Sequence, residues 1–135
     1  LMNLALDRME EITVDDKAEY EDINLDADRY FSEVIGATVS PSQRGQNVIF
    51  KVVPKHAPYV KTKPLHHSQV VMEEDETGTT FKICVQQNFE LERVILGMGE
   101  TLTVLAPRKL KQRIKNCLRQ AYENYGGDSS DEKPV

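Results

Sequence analysis

The chain has 135 residues, of which 39% are hydrophobic and 29% are charged, and its formal net charge is −5. This size and composition are typical of one globular domain with a real hydrophobic core, and no apolar run approaches the length of a membrane span. A domain that binds nucleic acid by itself is usually strongly basic, so the acidic net charge argues against that class of protein.

The acidic residues are concentrated near the N-terminus, where residues 1–35 have a net charge of −8 and the rest of the chain carries +3. Residues 1–14 mix apolar and charged side chains in a way that predicts a long edge strand. Because the chain opens in this strand, we expect it to be part of a longer polypeptide. Residues 15–46 then predict an acidic linker, a short helix from Asp26 to Ile35 and a polar loop.

From residue 47 the pattern becomes regular. Alternating β-branched and aromatic residues predict three strands, at Asn47–Val53, Gln69–Glu74 and Thr79–Gln86. A short helix at His56–Lys63 connects the first two strands. The sequence Asp-Glu-Thr-Gly at residues 75–78 predicts a hairpin turn between the second and third.

The stretch from residue 89 to 125 has the clearest secondary-structure signals in the chain. A helix is predicted after the N-cap candidate Asn88, a strand at Thr101–Leu105, and a second helix from Pro107 to Tyr125. Residues 126–135 are predicted to form a disordered tail. The order strand, helix, strand, strand, helix, strand over residues 47–125 predicts an α+β domain of the ferredoxin-like, split βαβ type, with an N-terminal segment and a C-terminal helix added to it.

The same periodicities assign side chains to faces of the predicted sheet and helices. One face of the predicted sheet packs against the helices, and the opposite face is predicted to carry Ile49, Val53, Val71 and Cys84. We expect this opposite, apolar face to form a homodimer interface unless the last helix covers it. The residues predicted to be buried are Phe50, Val52, Phe81, Ile83, Val94, Ile95, Leu102, Val104, Leu110, Ile114 and Leu118.

Three segments together resemble a known family. The run from Asn88 to Gly99, NFELERVILGMG, with Leu102–Pro107 and Leu110 after it, resembles the C-terminal extension of WYL-domain transcriptional regulators. Leu65–Gln69, LHHSQ, resembles the "lHpsQ" connection of that family, and Leu4–Met9 resembles the strand that ends the WYL domain.

The resemblance implies a cytoplasmic bacterial regulator with a winged helix that binds DNA and a WYL domain that takes a nucleotide or nucleic-acid ligand. Neither the winged helix nor the Trp-Tyr-Leu motif is present in this sequence. It implies that residues 1–14 end the WYL domain, with Arg8 as a candidate nucleic-acid contact. The extension, residues 47–125, would dimerise and pass on the ligand signal. The alternative is a small-molecule or nucleotide sensor of ferredoxin-like type.

A basic stripe runs along the last predicted helix. Arg108, Lys111, Lys115 and Arg119 fall within about a third of the helix circumference, at 100° per residue. Such a stripe could contact phosphate groups of DNA or of a nucleotide. The interpretation we favour is a solvated face opposite the apolar one.

The residue types of enzymes and metal sites do not form a recognisable set. Cys84 and Cys117 lack C-x-x-C spacing, and we expect two buried free thiols in a reducing cytoplasm. His66 and His67 are adjacent and no further ligand spacing completes a metal site. Ser68 is in no nucleophile motif, and Asn88 lacks the arginine and anion-binding loop of an acyl-phosphate phosphatase. We therefore expect a protein without catalytic residues or cofactor.

Overall fold

The computed structural model describes residues 4–127. Its strands are β1 (Gln46–Val52), β2 (Val70–Asp75), β3 (Gly78–Val85) and β4 (Leu102–Ala106). Its α-helices are α1 (Ala27–Tyr30), α2 (Ala57–Thr62), α3 (Phe89–Gly97) and α4 (Arg108–Asn124), and two 3₁₀ turns lie at Leu6–Arg8 and Gly99–Thr101. No helix in this part of the chain is both long and apolar enough to cross a membrane.

The four strands form one antiparallel sheet in the order β2-β3-β1-β4. With α2 between β1 and β2 and α3 between β3 and β4, this is the predicted ferredoxin-like βαββαβ arrangement. The predicted hairpin turn joins β2 to β3. Asp75 accepts hydrogen bonds from Thr77 and Lys51 there, and these bonds lower the pKa of its carboxyl group to about 2.

One face of the sheet, called here the helix side, is covered by α2, α3 and the first half of α4. Phe50 of β1 pairs with Phe81 of β3, and their rings stack with centroids 5.5 Å apart. Both are fully buried, as are Leu91 of α3 and Leu110 of α4. The predicted core is therefore confirmed, except that Val94 is only half-buried and Leu118 is 46% exposed.

The N-terminal segment differs from its prediction. Residues 4–14 contain a 3₁₀ turn at Leu6–Arg8 and no strand, and none of the four strands pairs with them. An edge strand needs a neighbour to take up its backbone hydrogen bonds, and this segment has none among residues 4–127. Its assignment to the end of a preceding domain stays a prediction.

The segment between this N-terminal region and β1 is partly attached to the module. Helix α1 begins at Ala27, where the Asp26 carboxylate accepts a hydrogen bond from the Arg29 amide, and it ends at Tyr30 rather than at the predicted Ile35. Val34 beyond it is buried. Of the predicted tail, residues 128–135 lie outside the described residues.

Candidate interaction surfaces

Helix α4 presents the predicted basic stripe to solvent. Arg108, Lys111, Lys115 and Arg119 are all exposed. Within the described chain, the stripe has one ion pair, at 3.6 Å between Arg119 and Glu123, and such an exposed pair adds little stability. Arg8, the other predicted contact, lies in the exposed N-terminal segment, and no described contact joins it to α4.

A different basic residue of α4 has a structural role. The Nε atom of Arg113 lies 2.6 Å from Glu92 Oε1, and its Nη2 atom donates a hydrogen bond of 2.9 Å to Gln87. Because Glu92 belongs to α3, this pair joins the two helices. Arg113 therefore stabilises the packing of α4 against α3, whereas no ion pair of the described residues joins the stripe to another helix.

The apolar side of α4 is buried only along its first half. Leu110 and Ile114 belong to the same core cluster as Leu91 and Ile95 of α3. Farther along, Leu118, Tyr122 and Tyr125 are 46%, 63% and 89% exposed. A helix of 17 residues is about 25 Å long and β4 about 17 Å, so α4 extends past the layer on which it packs.

An apolar groove lies between this helix and the edge strand β4. It has a volume of about 250 Å³, which is below the usual size of a ligand pocket and sufficient for a few side chains. Lys111 and Lys115 line it together with Thr103. Its apolar lining consists of Leu102, Val104, Ile114 and Leu118.

The sheet face opposite the helix side, called here the open face, is not covered by any described element. Ile49 pairs with Lys82, which also pairs with Val70, so these three side chains share the face. Val53, directly after β1, is 36% exposed, and Cys84 is exposed. Because α4 packs on the helix side, the alternative in which it covers the open face is wrong.

One residue predicted for the open face lies on the other side of the sheet. The register places Val71 opposite Phe81, which is a core residue of the helix side. A β-bulge between Val71 and Glu73 then shifts the alternation along β2. Val70, 47% exposed, therefore takes the position on the open face that the sequence assigned to Val71.

A polar cluster at the start of α3 holds the preceding loop against the module. Asn88 caps α3 by accepting from the Leu91 amide, and its Nδ2 atom donates to the carbonyl oxygens of Ile35 and Thr38 at 2.9 and 3.0 Å. Glu90 accepts from the Thr38 hydroxyl at 2.7 Å, and this bond lowers the pKa of the Glu90 carboxyl group. The first residues of the NFELE motif thus have a structural role.

The LHHSQ motif also organises a turn. Gln69 donates to the Val60 carbonyl and accepts from the Leu65 amide, joining the end of α2 to the start of β2. His66 is buried, and its Nδ1 atom accepts from the Ser68 amide and lies 2.8 Å from the Ser68 hydroxyl. Burial is the main cause that lowers the pKa of His66, and the nearby charge of His67 adds to it.

The histidines and cysteines of residues 4–127 do not gather into a set of metal-binding side chains. No group of three or more metal-binding side chains lies together in residues 4–127. Cys84 and Cys117 are free, but both are exposed rather than buried as predicted. Cys84 lies on the open face and Cys117 on the projecting half of α4, and no packed layer covers either surface.

The family comparison agrees with the boundaries of the module. The model of the WCX domain matches residues 44–122, more than half of the chain. The match begins just before β1 and ends in the last turn of α4. The resemblance of this segment to the C-terminal extension is thus confirmed, whereas no curated protein matches the chain.

Proposed function

This chain belongs to the WCX domain family, and on that premise we propose that it is the regulatory and dimerisation module of a bacterial transcriptional regulator. The module passes a ligand signal from a WYL domain to an N-terminal winged helix that binds DNA. The segment that ends at residue 14 closes the WYL domain, where a nucleotide or nucleic-acid ligand binds, and residues 15–46 link that domain to the module. The protein acts in the cytoplasm through binding and not through catalysis.

The observation that carries the dimerisation part is the open face of the sheet. Ile49, Val70 and the aliphatic stem of Lys82 form a continuous surface that no helix of the described chain covers. Contiguous apolar surface on a soluble protein usually marks an interface. Two such faces packed on a twofold axis would form the self-complementary contact of a homodimer.

A non-catalytic role is supported by how the reactive side chains are used. His66 and Ser68 contact each other, but Ser68 also accepts a hydrogen bond of 2.8 Å from the Cys84 amide. This bond joins the turn to β3, so both side chains have structural partners. Nothing in this arrangement provides the acid, base and oxyanion-stabilising groups of a hydrolase.

The dimer is tested by sedimentation of the intact chain with substitutions on the two faces of the sheet. Ile49→Asp and Val70→Asp place a charge on the open face and should give a folded monomer. Val71→Asp is the matched control, because Val71 is 50% exposed on the neighbouring position of β2 but belongs to the helix side. Dissociation by Val71→Asp but not by Val70→Asp, or a wild-type chain that sediments as a monomer at high concentration, would contradict the proposal.

A second candidate function, a nucleotide or small-molecule sensor, is favoured by one cleft. A polar cleft of about 660 Å³ lies between the loop before β1 and α4. Arg44 and Lys109 line it, and neither has an ion pair among the described residues. A nucleotide phosphate would bind there by charge. Thermal stabilisation by nucleotides that is lost in Arg44→Gln would favour this function.

A further inference from the structure

The groove between α4 and β4 has both apolar and charged character. Leu118 is 46% exposed along it, and the groove is lined by Lys111 and Lys115, which have no ion pair in the part of the chain that the structure describes. A binding partner must therefore offer apolar side chains for the groove and carboxylates for the two lysines. Two cations beside an apolar surface favour an acidic segment with interspersed hydrophobic residues.

The chain itself contains a segment of this chemistry. Residues 15–25 have five carboxylates and one lysine, and they include Tyr20 and Ile23, which are 89% and 64% exposed. Apart from the hydrogen bonds of Asp15 and Asp22 to amides nearby in sequence, no hydrogen bond of the described residues joins this segment to the module, and its last residues, from Ile23 on, lie beside Arg29 and Tyr30. The segment has no regular secondary structure and can lie extended in a groove.

We propose that the groove between α4 and β4 of one copy binds residues 15–25 of a second copy. Tyr20 or Ile23 packs against Leu118, and Glu21 and Asp22 pair with Lys111 and Lys115. This contact rests on the proposed dimerisation and adds a second, reciprocal surface to it. Residues 15–25 are part of the linker to the preceding domain, so this contact would join the linker of one copy to the module of the other. A signal from the preceding domain would reach the module through this linker.

The choice of occupant follows from charge and position. A nucleic acid would also be attracted to the lysines, but it would be repelled by the acidic segment that accompanies each module, and the chain as a whole has a net charge of −5. Within one copy, residues 15–25 are exposed and the groove lies open. A second copy supplies the same segment without requiring any change in the fold.

Paramagnetic relaxation between two differently labelled samples of the chain tests the contact directly. Cys84→Ser and Cys117→Ser, made in both samples, remove the two native thiols, which are exposed. In the sample without isotope labels, Ala18→Cys then provides the thiol to which a nitroxide is attached. Mixed with an ¹⁵N-labelled chain lacking the nitroxide, it should reduce the amide signals of Thr103, Lys115 and Leu118 at least twofold. A nitroxide at Glu76→Cys, in the β2–β3 turn at the opposite edge of the sheet, is the control.

Charge reversal provides a second, independent readout. The double variant Lys111→Glu, Lys115→Glu of the ¹⁵N-labelled chain should lower the apparent affinity between the two chains about tenfold, as measured from the broadening of the amide signals. Glu21→Lys with Asp22→Lys on the nitroxide-bearing chain should restore that affinity. Lys55→Glu with Lys63→Glu changes the net charge equally and should have no effect. High salt should weaken the contact, since exposed charges are screened.

The outcomes separate this inference from the proposed function. Broadening absent from the mixed sample while the chain sediments as a dimer overturns the inference and leaves the dimer intact. Broadening seen only within a doubly labelled chain means that the groove binds the segment of its own copy, which also overturns it. The same holds if a single-stranded oligonucleotide shifts the α4 signals and no broadening between chains occurs. A monomer at all concentrations overturns the proposed dimerisation itself.

Discussion

Truncation of Leu110 to alanine tests whether the first half of α4 belongs to the core of the module. Leu110 is fully buried and lies in one cluster with Leu91 and Ile95 of α3. Removing an enclosed leucine side chain costs about 2–5 kcal/mol, because the cavity collapses only partly. For a module of this size, each kcal/mol lowers the melting temperature by about 4–8 °C, so we expect a decrease of about 8–40 °C.

The matched variant is Leu118→Ala, two turns later on the same apolar stripe. Leu118 is 46% exposed, so its truncation should cost less than about 1 kcal/mol in the monomer. Urea unfolding followed by circular dichroism, at a concentration where the chain is monomeric, measures both changes as shifts in the midpoint at constant m value. Leu110→Met, which conserves volume, should cost less than about 1.5 kcal/mol.

Equal losses of stability in the two truncations would refute this account of α4. A large loss in Leu118→Ala would mean that another part of the chain covers the second half of the helix. A small loss in Leu110→Ala would mean that α4 is not anchored to α3 at all. Only a large difference between the two positions agrees with a helix that leaves the module halfway along its length.

Two further predictions concern the motifs. Asn88→Ala removes an N-cap and two loop hydrogen bonds and should cost about 2–3 kcal/mol by urea unfolding, whereas Asn116→Ala on the exposed side of α4 should change stability by less than about 0.5 kcal/mol. The lowered pKa of His66 means that the unfolded chain binds a proton at this residue more readily than the folded chain does. The free energy of unfolding should therefore keep its full value above about pH 6.5 and decrease as the pH falls from there towards the folded-state pKa. His66→Asn should remove most of this decrease, and an unchanged pH profile in that variant would exclude His66 as its cause.

The sequence alone was sufficient for the order of elements from β1 to α4 and for most of the core. Alternation in β1 and β3 identified Phe50 and Phe81 as inward-facing, because a strand changes side with every residue and both strands are free of bulges relative to each other. The cap at Asn88 was also predictable, since its side chain needs only the amide of Leu91, three residues along the chain. These features depend on local chemistry.

The motif roles required the tertiary structure. The sequence marked NFELE and LHHSQ as a family resemblance, but not that Asn88 binds the carbonyl of Ile35, 53 residues away in sequence. Gln69 similarly contacts Val60, and this contact depends on how α2 returns to the sheet. No periodicity encodes which loop lies beside a polar side chain, so these partners could not be predicted.

The candidate surfaces also depended on the tertiary structure. A helical period showed that Leu110, Ile114 and Leu118 share one side of α4, but not that the third of them is 46% exposed beside an open groove along β4. Alternation placed Val71 on the open face until the bulge in β2 reversed it. Sequence periodicity determines which side chains point the same way. Whether another element lies opposite them is decided by lengths, register shifts and packing between segments distant in the chain, and that decides which apolar residues are core and which remain as surface.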